Sequence, residues 1–454
     1  MDFVLNKRNS KNLIYCDMLY LLKNKVNSRM YWKCVQSDCN VTMISENEDI
    51  IKHPIQHNHS NHLDRIEKLK CREQMFKKIE KSPNLSLKQI FNLVREKRTL
   101  ELINNNKDIK IAPRFISMKS QLYSKRNSLL PPIDKKNITI PIDYQLTLDK
   151  KPFLIYNDSK MMIFSSEIFL QYLANSDRVY VDGTFSSAPK QFNQLFTFHV
   201  LVNENMFAVV FALLPDKKMT TYLKLISVIT STIRNKLGII FRPEHLHCDF
   251  EMAIMQSFKT FFPNINIHGC YFHFTQCLLR KLQNLGLKKQ YEKNNEIKLL
   301  IKRCLALPLI SLTDLDEVWY LITSLNTIED DEIDEFIYYI QSTWISNDSL
   351  FIREIWNHFG NFGTRTTNHL EGFHNKLNSC FNHGSPNLFT LIDQLKKFEF
   401  DYRIDLSHVL DGKIVHKKNK KYMRLNDNYV KYHTQYVNNQ VNLLEYLDLV
   451  ARLV

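Results

Sequence analysis

The sequence predicts an α/β chain of several parts: a small β-rich unit, a basic helical segment, and a mixed sheet interrupted by a block of helices. Three observations predict it. Between 178 and 249, three runs of strand character (Arg178–Val181, Phe192–Asn203 and Met206–Leu214) precede a helical stretch and a further short strand. Between 287 and 362 the apolar residues recur at helical spacing. Near the N-terminus, paired cysteines and histidines bracket alternating apolar positions in a stretch too short to hold a sizeable core.

Composition narrows the class. Over 454 residues, 44% are hydrophobic and 24% charged, which is globular, and the length allows two to three domains. The opening MDFVLNKRNSKN lacks an apolar signal core, and no window holds eighteen unbroken apolar residues, so neither secretion nor a membrane span is expected. Nine cysteines, an odd number unevenly spread, then suggest free thiols and a metal site rather than a disulfide framework. A net charge of +14 suits a polyanionic partner, although generic surface charge gives the same number. The excess is concentrated: Asp64 to Lys136 holds 19 basic and 8 acidic residues.

Residues 1–62 form the first unit. Its centre is YWKCVQSDC, Tyr31 to Cys39, followed by HNH, His57 to His59. Cys34, Cys39, His57 and His59 could close a tetrahedral zinc site, with His53 and His62 as competing donors. Two short strands, Val41–Ile44 and Asp49–Lys52, lie between the pairs. The order Tyr31, Trp32, Cys34, Cys39, His57, His59 resembles a FLYWCH-type zinc finger, and the resemblance implies contact with DNA or protein.

Residues 63–136 read as basic helices. Leu63, Ile66, Leu69, Met75, Phe76 and Ile79 mark one stripe. A second helix opens at Ser86 with Gln89 three residues on, a capping-box pattern, and buries Ile90, Phe91 and Val94. A third runs from Phe115 to Arg126, before the break at Pro131-Pro132. The segment could be a helix-turn-helix-like reader with Lys119, Lys125 and Arg126 on phosphates, or a solvated linker.

Residues 137–286 should hold the first part of a catalytic core. Three strands, a helix (Thr220 to Leu237) and a strand ending at Asp249 are the opening of a ribonuclease H-like fold. In that topology the ends of the first and fourth strands are neighbours, so Asp182 and Asp249 would share one pocket and bind divalent cations. Two readings compete with this. Asp182-Gly183 also marks an ordinary turn, and Glu251 rivals Asp249, although it could simply open the next helix.

Two clusters follow. Gly269-Cys-Tyr-Phe-His-Phe sets Cys270 and His273 three apart, and RTTNHLEGFHNKLN puts Asn368, Glu371, His374 and Asn375 on one helical face. In this order, DGTF, CDFE, CYFH and RTTNHLEGFHNKLN resemble the Mutator-like (MULE) family of DDE transposases, over about 160–385. The resemblance implies a magnesium-binding triad of Asp182, Asp249 and Glu371, with Mn²⁺ as the substitute ion. Cys270 and His273 would be its supporting C-x-x-H element, with Asn368 and His374 also in support. It further implies a helical insertion, 287–362, before the core helix of 363–385 that carries the glutamate. Trp344 and Trp356 would then be either core residues or DNA-end contacts. The last part, 386–454, reads as helical, with a basic run within Lys413–Arg424 and no second zinc finger.

The expected function is a nuclear cut-and-paste transposase: two-metal hydrolysis of phosphodiester bonds at element ends, then strand transfer into target DNA. Its partners would be the transposon terminal repeats and target DNA. A homodimer would suit the family, although no heptad seam specifies one. The alternative is a domesticated zinc-finger regulator that binds DNA without transposition.

Overall fold

The computed structural model describes the chain except for residues 7–9, 48, 83–84, 135–137, 364–367, 382–384 and 414–419, and the side chains of residues 368, 369 and 371. It divides into two compact units, Met1–Pro132 and Ile133–Val454. The boundary follows the paired prolines, which cannot continue a helix.

In the first unit, β1 (Asp2–Leu5), β2 (Lys11–Tyr15), β3 (Met18–Val26), β4 (Arg29–Cys34), β5 (Thr42–Glu46) and β6 (Asp49–Lys52) form one antiparallel meander in sequence order. Alternation places Leu13, Tyr20, Trp32, Cys34 and Met43 on its inner face, and the Trp32 indole donates to Ser45 Oγ at 2.9 Å. The sheet holds four strands ahead of the two expected between the ligand pairs. Phe3 and Val4 pair with Leu13 and Asn12, so the N-terminal residues form an edge strand.

Three helices follow: Leu63–Lys81, Leu87–Asn104 and Phe115–Ser128. Ser86 and Gln89 form the reciprocal capping box that their spacing predicts, which satisfies two otherwise orphaned N–H groups. Met75, Ile79, Ile90, Phe91, Val94, Met118 and Leu122 close a shared core. Beside it, Arg98 binds the buried Glu67 with both Nε and Nη2.

The second unit is built on a seven-stranded mixed sheet: β7 (Leu154–Asn157), β8 (Met162–Phe164), β9 (Arg178–Thr184), β10 (Gln194–Val202), β11 (Asn205–Leu214), β12 (His245–Cys248) and β13 (Asn266–Gly269). The spatial order is β13-β12-β9-β10-β11-β8-β7. The pairs β13/β12 and β12/β9 are parallel and the rest antiparallel. Strands β10 and β11 are buried over most of their length, as continuous apolar runs require.

The crossover from β11 to β12 is the helix Met219–Leu237, ended by Gly238 at φ +69°, a left-handed cap that a side chain would oppose. Helices occupy much of 287–362, including Asn295–Ala306, Leu315–Ser324 and Asp331–Ile340. Trp344 and Trp356 are both buried there, packed with Phe250, Phe274 and Phe351. The C-terminal helices are Leu388–Leu410, Lys420–Val437 and Leu443–Ala451. Of the basic run within Lys413–Arg424, residues 414–419 lie outside the described residues. No described helix is long and apolar enough to cross a membrane.

Candidate functional site

In the first unit, Cys34 closes β4 and Cys39 sits in the following turn, held by its N–H on the Gln36 carbonyl at 3.2 Å. His57 and His59 come from the irregular segment after β6, which bends at Asn58 and His59. The structure brings all four donors together. Their ligand atoms lie within 4.8 Å of one another. Cys34 Sγ is 3.3 Å from His59 Nε2, Cys39 Sγ 3.3 Å from His57 Nδ1, and the two ring nitrogens are 3.2 Å apart.

A tetrahedral ion with bonds of about 2.0–2.3 Å produces edges of roughly 3.3–3.8 Å, so the four donors fit Zn²⁺. The surrounding hydrogen bonds orient the rings. His59 Nδ1 lies 2.7 Å from the Ser60 carbonyl, which leaves Nε2 for the cluster, and Tyr20 Oη meets His57 Nε2 at 2.7 Å. The two competing histidines have other partners: His62 Nδ1 accepts from Leu19 N at 3.0 Å, and His53 Nδ1 meets Tyr15 Oη at 2.9 Å.

The three basic residues expected on DNA are differently placed. Lys125 binds Glu80 at 2.6 Å and lies over the Phe76 ring, and Arg126 donates to the Leu85 carbonyl, so both hold the helices together. Lys119 is half-buried in the same helix.

In the second unit, Asp182 and Gly183 lie inside β9, paired with Thr197 and Phe196 of β10. The turn reading of this Asp-Gly pair is therefore overturned. Glycine is needed for another reason: a Cβ at 183 would meet Gln194 Oε1 at 2.5 Å, and the Gln194 amide is committed to Tyr222 Oη at 2.9 Å.

Strand β12 pairs with β9 in the register His245 with Arg178 and His247 with Tyr180. Continued along both chains, the same offset sets Asp249 beside Asp182, on the sheet face that also carries Tyr180 and His247. Asp249 keeps a partly accessible edge, but its Oδ1 is sealed off with no hydrogen-bond partner among the described residues. Burial, with Asp182 and then Glu251 opposite, pushes its carboxyl up to about 7. A buried, partnerless carboxylate oxygen facing a second carboxylate is a donor set that fits a divalent cation.

Glu251, the rival acid, is otherwise engaged. It accepts from Lys217 Nζ at 2.5 Å and Tyr222 Oη at 2.7 Å, and it caps no helix with its side chain.

Cys270 is buried at the start of the helix Tyr271–Asn284, with its N–H on the Cys248 carbonyl at 2.9 Å. His273, one turn on, lies near enough to Asp182 to feel its charge: burial pushes its imidazole down while Asp182 opposes the shift.

The helix Asn368–Ser379 packs on β9 and β11. Its His374 is buried, with Nδ1 3.3 Å from Asp182 Oδ2 and Nε2 3.4 Å from Thr197 Oγ1. Thr197 Oγ1 in turn donates to the Asp182 carbonyl at 3.2 Å and meets His199 Nε2 at 2.9 Å. Glu371 stands one turn before His374 on this helix, but its side chain and that of Asn368 lie outside the described residues. Asn375 is exposed.

Sequence reasoning did not single out Thr197, His199 or Lys217. The signal for the first two was available: QLFTFHVLV is an apolar strand with two polar residues on one face, and buried polar groups need partners.

The model of the MULE transposase domain matches residues 178–277, and that of the FLYWCH zinc finger domain matches residues 3–59. No curated protein matches the chain. The first segment contains Asp182, Asp249, Cys270 and His273; the second contains all four Cys and His donors. The chain thus joins an N-terminal segment similar to the FLYWCH zinc finger to a later segment similar to the MULE transposase domain, the architecture its motifs resemble.

Proposed function

We propose that the chain is a DNA transposase of the Mutator-like DDE type, which cleaves phosphodiester bonds at element ends and transfers the strand into target DNA. The observation that carries this reading is the acid pair: Asp182 and Asp249 at corresponding positions along adjacent parallel strands, one with a sealed oxygen that has no partner among the described residues. The sheet order, with β12 against β9 and the antiparallel β10 and β11 on its other side, supports a ribonuclease H-like core. The match over 178–277 supports a transposase, and the finger supports DNA binding.

Asp182 and Asp249 would hold Mg²⁺ or Mn²⁺, and Glu371, on the helix that brings His374 to Asp182, would be the third acid. The ions would supply Lewis-acid stabilisation of charge at the phosphodiester. His374 fixes the Asp182 carboxylate from one side while Gly183 N–H donates to its Oδ1 at 2.8 Å, so the acid presents a set direction. Lys217 and Tyr222 draw Glu251 aside and leave Asp249 to face Asp182. Cys34, Cys39, His57 and His59 would hold Zn²⁺ and stabilise the finger. The residues of 63–136 would add phosphate contacts, and the protein would act in the nucleus.

The test is Mg²⁺-dependent cleavage of DNA that carries the genomic sequence on either side of the gene, searched first for inverted repeats, by the wild type and by Asp182→Asn. Cleavage lost in the variant, with DNA binding retained, is expected. Undiminished cleavage would remove the mechanism, and binding without cleavage by the wild type would favour the regulator.

A further inference from the structure

An exposed aromatic side chain stands at the rim of the acid pair. Phe185 follows the last residue of β9, three positions after Asp182, and is 50% exposed. Lys217 Nζ lies over its ring, 4.8 Å from the centroid, and also binds Glu251, two residues beyond Asp249. Ring and ammonium therefore bridge the two segments that carry the acids.

The loop bearing Phe185 is firmly held. The Phe185 carbonyl accepts from Ala188 N at 3.1 Å, and Ser385 N donates to the Ser186 carbonyl at 2.8 Å. Ser186 Oγ donates to Asn378 Oδ1 at 2.9 Å, and Ser187 Oγ donates to the same atom. Asn378 belongs to the Asn368–Ser379 helix, so the helix that carries Glu371 and His374 also fixes this loop.

An apolar ring kept in solvent by an anchored loop, braced by a cation, offers a flat stacking surface next to a positive charge. A nucleotide has both complements: a base with a π face and a phosphate. We propose that Phe185 stacks on an unpaired base next to the scissile phosphodiester, while Lys217 neutralises the adjoining phosphate. This assignment rests on the reading that the acid pair acts on DNA.

The experiment uses the full-length, zinc-loaded protein and mixed-sequence oligonucleotides containing 2-aminopurine, as single strand and as duplex. Phe185→Ala is expected to lose on the order of tenfold in single-strand affinity, with a much smaller loss on duplex. Phe185→Trp should restore binding and show indole quenching by the strand. Lys217→Gln should lower the salt slope of log affinity by about one. Unchanged single-strand affinity in Phe185→Ala, or equal loss on both probes, overturns the stacking role while the DNA reading stands. A wild-type protein that binds neither probe overturns both. Unchanged melting of Phe185→Ala, expected for a half-exposed side chain, excludes misfolding as the cause of a loss.

Discussion

Removing the charge of Asp249 should stabilise the metal-free protein while abolishing its proposed chemistry. The folded carboxyl sits at about 7, against an ordinary value of 3.8. Below the lower value both states hold the proton, and nothing differs between them. From there to about 7 the unfolded chain releases its proton while the folded chain retains it, so stability falls steadily as pH rises. Three units at about 1.4 kcal/mol each amount to a loss of about 4 kcal/mol, an upper limit because one edge of Asp249 still reaches solvent. That is a large share of the roughly 5–15 kcal/mol that holds an ordinary domain together. Asp249→Asn keeps the shape and cannot ionise, so urea unfolding in metal-free buffer should show the variant gaining on the wild type between pH 4 and pH 8. Added Mg²⁺ should close the gap by stabilising the wild type alone. Parallel stability curves for the two proteins across that range would refute the reasoning, since they would mean that ionising Asp249 costs the fold nothing.

Other consequences are more local. Cys34→Ser, or a strong chelator, should unfold the β1–β6 meander, and Co²⁺ substitution should give a tetrahedral thiolate spectrum; a finger that stays folded without stoichiometric metal would contradict the site. Arg98→Leu strands the buried Glu67 carboxylate and should cost on the order of 3–5 kcal/mol in denaturant unfolding, with much of the loss recovered by adding Glu67→Gln. Gly269→Ala drives a methyl to within 2.4 Å of the Phe250 ring, which is packed against Trp344 and Phe351. It should cost about 1–3 kcal/mol and disturb the neighbouring Asp249, read as lower melting and weaker Mg²⁺ stabilisation. Lys119→Ala should lower the salt slope of DNA binding by about one if this lysine meets a phosphate, whereas Arg126→Ala should chiefly reduce stability, because its guanidinium holds the Leu85 carbonyl.

What could be read from the sequence, and what could not, separates along physical lines. Periodicity located β9, β10, β11 and the crossover helix, because long apolar strands and a nineteen-residue amphipathic helix leave strong local signals, whereas β12, four residues with two histidines, was legible only from its place in that order. It missed β1, whose four residues carry one buried side chain and depend on β2 for their hydrogen bonds. Local chemistry located the Ser86 cap, since a capping box is complete within four residues. The same local reasoning left Asp182-Gly183 open between turn and strand, because only the register with β10 decides it. At the metal cluster, spacing nominated the four donors but could not dismiss His53 and His62. Their exclusion depends on Tyr15 and on the Leu19 amide, about forty residues away.

The acid site makes the same point more sharply. Asp182 and Asp249 are equally far apart in sequence whether or not they meet, and β12 lying parallel against β9 is what brings them into one row. Once they are in that row, Asp249 is a carboxylate in the wrong place for stability: partly desolvated, facing a like charge, with an oxygen that no group among the described residues satisfies. A fold that had only to persist would place an Asn or a hydrogen-bond donor there. His374, Thr197 and His199 hold Asp182 in place, and Lys217 and Tyr222 draw off Glu251, so the neighbours favour keeping this repulsion over relieving it. Retained electrostatic strain of that kind at the ends of two adjacent strands is what the proposed cation would relieve, which is why the proposed function rests on the acid pair more than on any single motif.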